Sequence, residues 1–242
     1  MEKLKEVFQG MLSKKNLTHY YLPLMIGSFL FFLLIARLFY PYIPIFPYNW
    51  TTSMISRLGW PEENPIGFVF FSLGFILYGI LTLPIVQYVY RKYFKINGFY
   101  AKFIAFFFYA YSIASMLIGI IPNFYEPRIF KLIHGINAII IFLGFFLMSF
   151  ISATLMLKHN LSGGKITIFS KKLLIIYLSI LIYCIICAFF LVTFAPNNRT
   201  GRFIPNPITP FYFSAPFYEW QAFMAIFCLL TIQCFIIPEE FR

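Results

Sequence analysis

His134 and Asn137 stand three residues apart near the start of a long apolar run, and they are the first pair in this 242-residue chain that invites a chemical reading. On a helix that spacing puts both side chains on one face, one to two turns below the start of the run at about 1.5 Å per residue. Glu219 lies at a comparable depth at the start of the last apolar run, where a helix dipole favours a carboxylate. The stretch from Thr51 to Phe71 adds Ser53, Ser56, Arg57, Glu62, Glu63 and Asn64, spaced by Gly59, Pro61 and Pro65. Ser56 (or Ser53) with His134 and Glu219 are the nucleophile, base and carboxylate that acyl transfer or hydrolysis needs. The other chemistry open to these residues is lipid binding. A guanidinium clamp of Arg57, Arg128, Arg199 and Arg202 suits a phosphate, while Glu62, Asn123, Asn137, His134 and Glu219 can bond sugar or glycerol hydroxyls. The chain has no Asp, and His134 is its only histidine on that side of the membrane, so a three-histidine zinc site cannot be built. No metal and no cofactor is expected.

The elements that must position these residues follow from composition. Apolar residues make up 61% and charged residues only 11%, against about a quarter charged in soluble domains. The chain is read as an integral membrane protein with one membrane domain over residues 1–242. Six apolar runs reach or approach the roughly 20 residues that a spanning helix needs: about 20–40, 66–90, 103–121, 133–157, 173–194 and 217–237. They are continuously apolar and do not alternate as barrel strands do, so the expected fold is an all-α bundle of six transmembrane helices. Residues 1–19 place Leu4, Val7, Phe8, Met11 and Leu12 at helical spacing opposite lysines, the pattern of an interfacial helix.

Basic residues cluster before the first run, after the second and after the fourth, and by the positive-inside rule both termini are expected in the cytoplasm. The net charge of +11 is accordingly a topology signal, and nucleic acid is not an expected partner. Membrane lipids are, with membrane-protein partners or a second copy of the chain left open. The stretch from Thr51, the exit of the third run with Asn123 and Arg128, the pair His134 and Asn137, and Glu219 then all fall on the outer side. So do twelve of the fifteen prolines, which predict a stiff outer lid. Arg37, near the outer end of the first run, is expected to snorkel to the headgroups. The small residues Gly67, Gly74, Gly79, Ser112, Ser115, Gly119, Gly135 and Gly144 are expected at helix contacts. Cys184, Cys187, Cys228 and Cys234 all lie in apolar runs and read as small hydrophobes, with no disulfide framework. A transporter is disfavoured by the lack of an inverted repeat or a polar mid-bilayer path.

With these features in hand, the chain resembles the Frag/DRAM/Sfk family of six-span membrane proteins. The likeness rests on Ile55-Ser56-Arg57-Leu58-Gly59 with Pro61-Glu62 and Pro65, on Gly119-Ile-Ile-Pro122-Asn123-Phe124, on His134-Gly135 and on Glu219-Trp220. A related prokaryotic family of uncharacterised multi-span proteins shares the first and third of these elements. Pro122 departs from the first family's pattern, in which a small or apolar residue precedes the asparagine. The resemblance implies membrane-lipid work, namely lipid homeostasis or remodelling of the lipid part of GPI anchors. The expected function is binding of a phospholipid or glycolipid headgroup in an outer-leaflet cavity. An intramembrane acyl-transferase or hydrolase with His134 as base is the first alternative, and a non-catalytic scaffold or regulator the second.

Overall fold

The computed structural model describes residues 2–41, 48–50, 52–121, 128–161, 168–194 and 214–237. Hydrocarbon offers the backbone no hydrogen-bond partners, so a continuously apolar run must satisfy its own amides, and a helix does so within one segment. The described residues form α1 (Glu2–Phe8), α2 (Lys14–Leu38), α3 (Gly67–Phe94), α4 (Gly98–Ile120), α5 (Arg128–Leu161), α6 (Ile168–Phe194) and α7 (Ala215–Ile236). From α2 onward each is long and apolar enough to cross a membrane. The protein is an all-α, multi-pass integral membrane protein.

The helices overrun the apolar runs that announce them. The spans expected from Phe103 and Ile133 begin at Gly98 and Arg128, and the one expected to end at Tyr90 continues to Phe94. A helix stops where a cap satisfies its free amides, not where hydrophobicity fades. Asn97 accepts from the amides of Phe99 and Tyr100 at the start of α4, and Ser214 accepts from Phe217 at the start of α7.

The interfacial helix expected over 1–19 is shorter and differently placed. It ends at Phe8, the chain turns at Gly10 with φ +67°, and α2 begins at Lys14 through a π-helical turn over Leu17–Tyr21. Glycine is required at residue 10 twice over, by the left-handed backbone and because a Cβ would lie 2.8 Å from that of Gln87. Arg91 donates to the Gln9 carbonyl at 3.1 Å, so this segment packs on the end of α3. Lys14, one of the basic residues before the first apolar run, donates its Nζ to the carbonyls of Phe235 and Ile237 at 2.7 and 2.9 Å. A cation there complements the C-terminal dipole of α7. The start of α2 and the end of α7 therefore share one end of the bundle, opposite the α2–α3 connection.

Successive helices from α2 to α5 pack closely, α6 pairs with α7, and α5 scarcely touches α6. Small residues bring α3 and α4 together: a Cβ on Gly79 would lie 2.7 Å from the Ser112 carbonyl, and one on Gly119 2.8 Å from Ile76 Cγ1. Close backbone approach of this kind drives helix association where the solvent is itself apolar. Gly135 does not take part as expected, because it faces open space. α7 occupies the centre. Phe223 and Phe227 join Phe29, Phe75 and Tyr78 in a cluster with ring centroids 4.9–6.2 Å apart, the range of favourable aromatic pairs. α6 is the reverse, apolar on all sides and largely facing outward. All four cysteines are free thiols.

Candidate functional site

The connection between α2 and α3 folds into the bundle mouth. Arg57 is 2% exposed, and a buried guanidinium needs a partner. Glu63 supplies it through an ion pair, and the Tyr40 hydroxyl donates to the same carboxylate at 2.6 Å. The guanidinium carbon lies 4.7 Å over the Trp60 ring, a cation–π contact. Asn64 is fully buried and bolts the two helices together. Its Nδ2 donates to the carbonyls of Ala36 and Leu58 at 3.0 and 2.8 Å, and its Oδ1 accepts from the Gly67 amide at 3.1 Å. Arg37, expected among headgroups, turns instead onto Tyr48, donating to its carbonyl at 3.2 Å. Burial pushes the Tyr48 phenol well above its ordinary pKa, and the nearby Glu219 charge pushes the same way.

Two contacts from α7 strap this connection in place. Glu219 Oε2 accepts from the Ile55 amide at 2.8 Å, and Trp220 Nε1 donates to the Ser53 carbonyl at 3.0 Å. They hold a short 3-10 helix, Ile55–Gly59, so that Met54, Ile55 and Ser56 become walls of the interior. From the other side, His134 and Asn137 lie on the buried face of α5, 6% and 4% exposed. The His134 Nδ1 and the Asn137 Nδ2 are buried with no hydrogen-bond partner among the described residues.

Ser56, His134 and Glu219 line one cavity of about 30 Å³. The three residues expected to do acid–base and nucleophilic chemistry are thus brought together from three separate elements. The lipid-binding set is not. Arg57 is turned into its own loop and paired with Glu63, while Glu62 and Arg128 are exposed. Only Asn137 lies on the inward face with His134, and Asn123, Arg199 and Arg202 lie outside the described residues, as does most of the proline-rich lid.

A much larger space adjoins this cavity. A crevice of about 490 Å³ runs between α5, α6 and α7, where Leu181, Cys184 and Ala188 face Ala138, Phe142 and Phe145 across to Ala222 and Ile226. It exists because α5 and α6 stand apart and because alanines line it from all three helices. Among the described residues Glu219 is the only carboxylate in its lining, with Met54 beside it, and Ala138, Phe142 and Glu219 belong to both spaces. The crevice is therefore a hydrocarbon-lined slot beside a small, mostly apolar chamber that holds Ser56, His134 and Glu219.

Two buried polar groups lacked any reading in the sequence. Near the terminal end Gln233, 1% exposed, donates to Ser152 Oγ at 3.0 Å beside a space of about 10 Å³, roughly room for one water. A lone amide in an apolar run was the available signal, since such groups are costly in lipid. Ser149, Ser152 and Thr154, which read in the sequence as backbone-bonding hydroxyls, divide: Thr154 bonds the Phe150 carbonyl at 2.9 Å, whereas Ser152 donates to the Met148 sulfur at 3.7 Å and the Ser149 Oγ has no hydrogen-bond partner among the described residues. Mid-bundle, the Tyr78 and Tyr111 hydroxyls share a hydrogen bond of 2.6 Å. Tyrosine within an aromatic-rich run passes as bulk, so the pair gave no warning.

A family model described as a protein of unknown function (DUF998) matches residues 24–206 of the chain. No curated protein and no solved structure matches it.

Proposed function

We propose that this chain, which belongs to the DUF998 family of proteins of unknown function, is a lipid-handling membrane protein. It takes one hydrocarbon chain of an outer-leaflet lipid into the crevice between α5, α6 and α7 and sets the lipid's polar part against Ser56, His134 and Glu219. The observation that carries this reading is the junction of an apolar slot of about 490 Å³ with a small chamber holding the buried polar groups. Ligand sites are mostly apolar with a few convergent polar groups, and polar groups at membrane depth are functional candidates by default. The excess of basic residues at the terminal end supports termini in the cytoplasm and, with them, a chamber in the outer half of the bilayer. The resemblance to the Frag/DRAM/Sfk pattern adds the setting, lipid homeostasis or GPI-lipid remodelling.

A second reading, an intramembrane acyl transferase or hydrolase, is favoured by one observation: Ser56, His134 and Glu219 line the same cavity. His134 then acts as base toward Ser56, with an ester of the bound lipid at the junction. Native mass spectrometry with lipid identification on gently purified protein tests both. Retention of a defined lipid by the wild type, and its loss in Ala188→Trp, supports the lipid-handling reading. A modified lipid formed by the wild type and not by His134→Ala supports the enzyme. The same lipids at the same occupancy in all three proteins overturn both.

A further inference from the structure

The chamber at the head of the crevice carries information about the kind of lipid. It is small, about 30 Å³, and a single water already occupies about 10–15 Å³ on that measure. A sugar or a phosphodiester does not fit, whereas a hydroxyl on its carbon does. Its charge is also informative. The Glu219 carboxylate belongs to both spaces, and among the described residues no Arg or Lys lines either one. A phosphate or carboxylate drawn into the chamber would have to leave water for a poorly solvated place with no cation among the described residues of its lining to meet it, which disfavours both. An ammonium would meet a carboxylate but would have to leave water for a wall of Phe71, Phe75 and Phe142. An uncharged hydroxyl avoids both penalties. Glu219 keeps acceptor capacity beyond the one bond from the Ile55 amide. The Nδ1 of His134, in a residue 6% exposed and without a partner among the described residues, offers the second bond when it carries the ring proton, the lipid hydroxyl then donating to Glu219 and accepting from Nδ1–H.

Resting on the lipid-handling reading, we infer that the site selects a single-chain lipid ending in an uncharged hydroxyl, of the class of long-chain primary alcohols. The chain lies along α6 and the hydroxyl lies between Glu219 and His134. The test is equilibrium binding of tritiated hexadecanol to purified protein in nanodiscs, with displacement by unlabelled hexadecanol, hexadecyl phosphate and hexadecylamine, in the wild type, Ala188→Trp and His134→Phe. The expected result is saturable binding that hexadecanol displaces at least about tenfold better than either charged probe. Ala188→Trp then abolishes binding, and His134→Phe reduces the preference while thermal unfolding stays that of the wild type. Equal or better displacement by the phosphate or the amine, still sensitive to Ala188→Trp, overturns the hydroxyl inference and leaves the crevice reading standing. Binding of all three probes that Ala188→Trp does not change overturns the crevice reading itself.

Discussion

The two sides of this bundle are built on opposite packing rules. Where α3 meets α4, glycines remove side chains altogether, and Ser112 donates to the Gly79 carbonyl at 2.6 Å across the seam. Where α5 should meet α6, the helices stand off, and alanines that could have drawn them together line a crevice instead. Small residues alone therefore do not make a tight contact in a membrane. They do so when a polar group spans the seam or a facing side chain fills the gap, because apolar helix surfaces gain little by leaving lipid for each other. The close side fixes α3 against α4, and the slack side leaves the crevice in which the proposed lipid chain would lie.

The contrast can be broken most severely at Arg57. Arg57→Ala leaves Glu63 in a largely buried place without its ion pair, and the loss expected is about 3–5 kcal/mol, read as a lower thermal midpoint in nanodiscs. Arg57→Met with Glu63→Leu together should recover most of it. The next largest effect is expected at the α3–α4 seam. Gly119→Ala forces a Cβ against the Ile76 side chain and should cost about 1–3 kcal/mol, while Gly135→Ala, which faces open space, should stay within about 0.5 kcal/mol. Equal effects at these two glycines would erase the distinction between seams. At the strap, Glu219→Ala leaves the Ile55 amide without its acceptor and should cost about 1–3 kcal/mol. Glu219→Gln keeps an acceptor oxygen and should cost less, with hydrogen exchange at Ile55 as the direct readout. The smallest stability effect, within about 0.5 kcal/mol, is expected for Ala188→Trp on the outward-facing α6, although that change fills the crevice and should remove lipid retention.

How much of this was legible in the chain differs from residue to residue. Six helices, and the nearness of Ser56, His134 and Glu219, could be anticipated because each polar side chain near a span end needs somewhere to go. Three such residues at one depth have few places other than a shared interior. Arg57 shows the limit. An arginine beside Glu62, Glu63 and Asn64 can face a ligand or close on its own loop, and only the 3-10 turn at Ile55–Gly59 puts Glu63 against it. Gly135 and Gly119 look alike in sequence, yet they differ in what stands opposite, which is a property of helix placement. The crevice was illegible for the same reason. Ala138, Ala188 and Ala222 have counterparts in other spans, such as Ala36 in α2 and Ala105 in α4, and the gap they line arises from where α6 settles against α7.

The central claim is that a lipid chain occupies that gap. The most direct measurement is photo-crosslinking with a single-chain lipid that carries a diazirine mid-chain, in nanodiscs of otherwise unreactive lipid, followed by peptide mapping. Adducts concentrated on Phe142–Phe146, Leu181–Val192 and Ala222–Leu229, and lost in Ala188→Trp, are the predicted result. Adducts spread evenly over outward residues such as Phe31, Phe103 and Ile113, unchanged by that substitution, would contradict it.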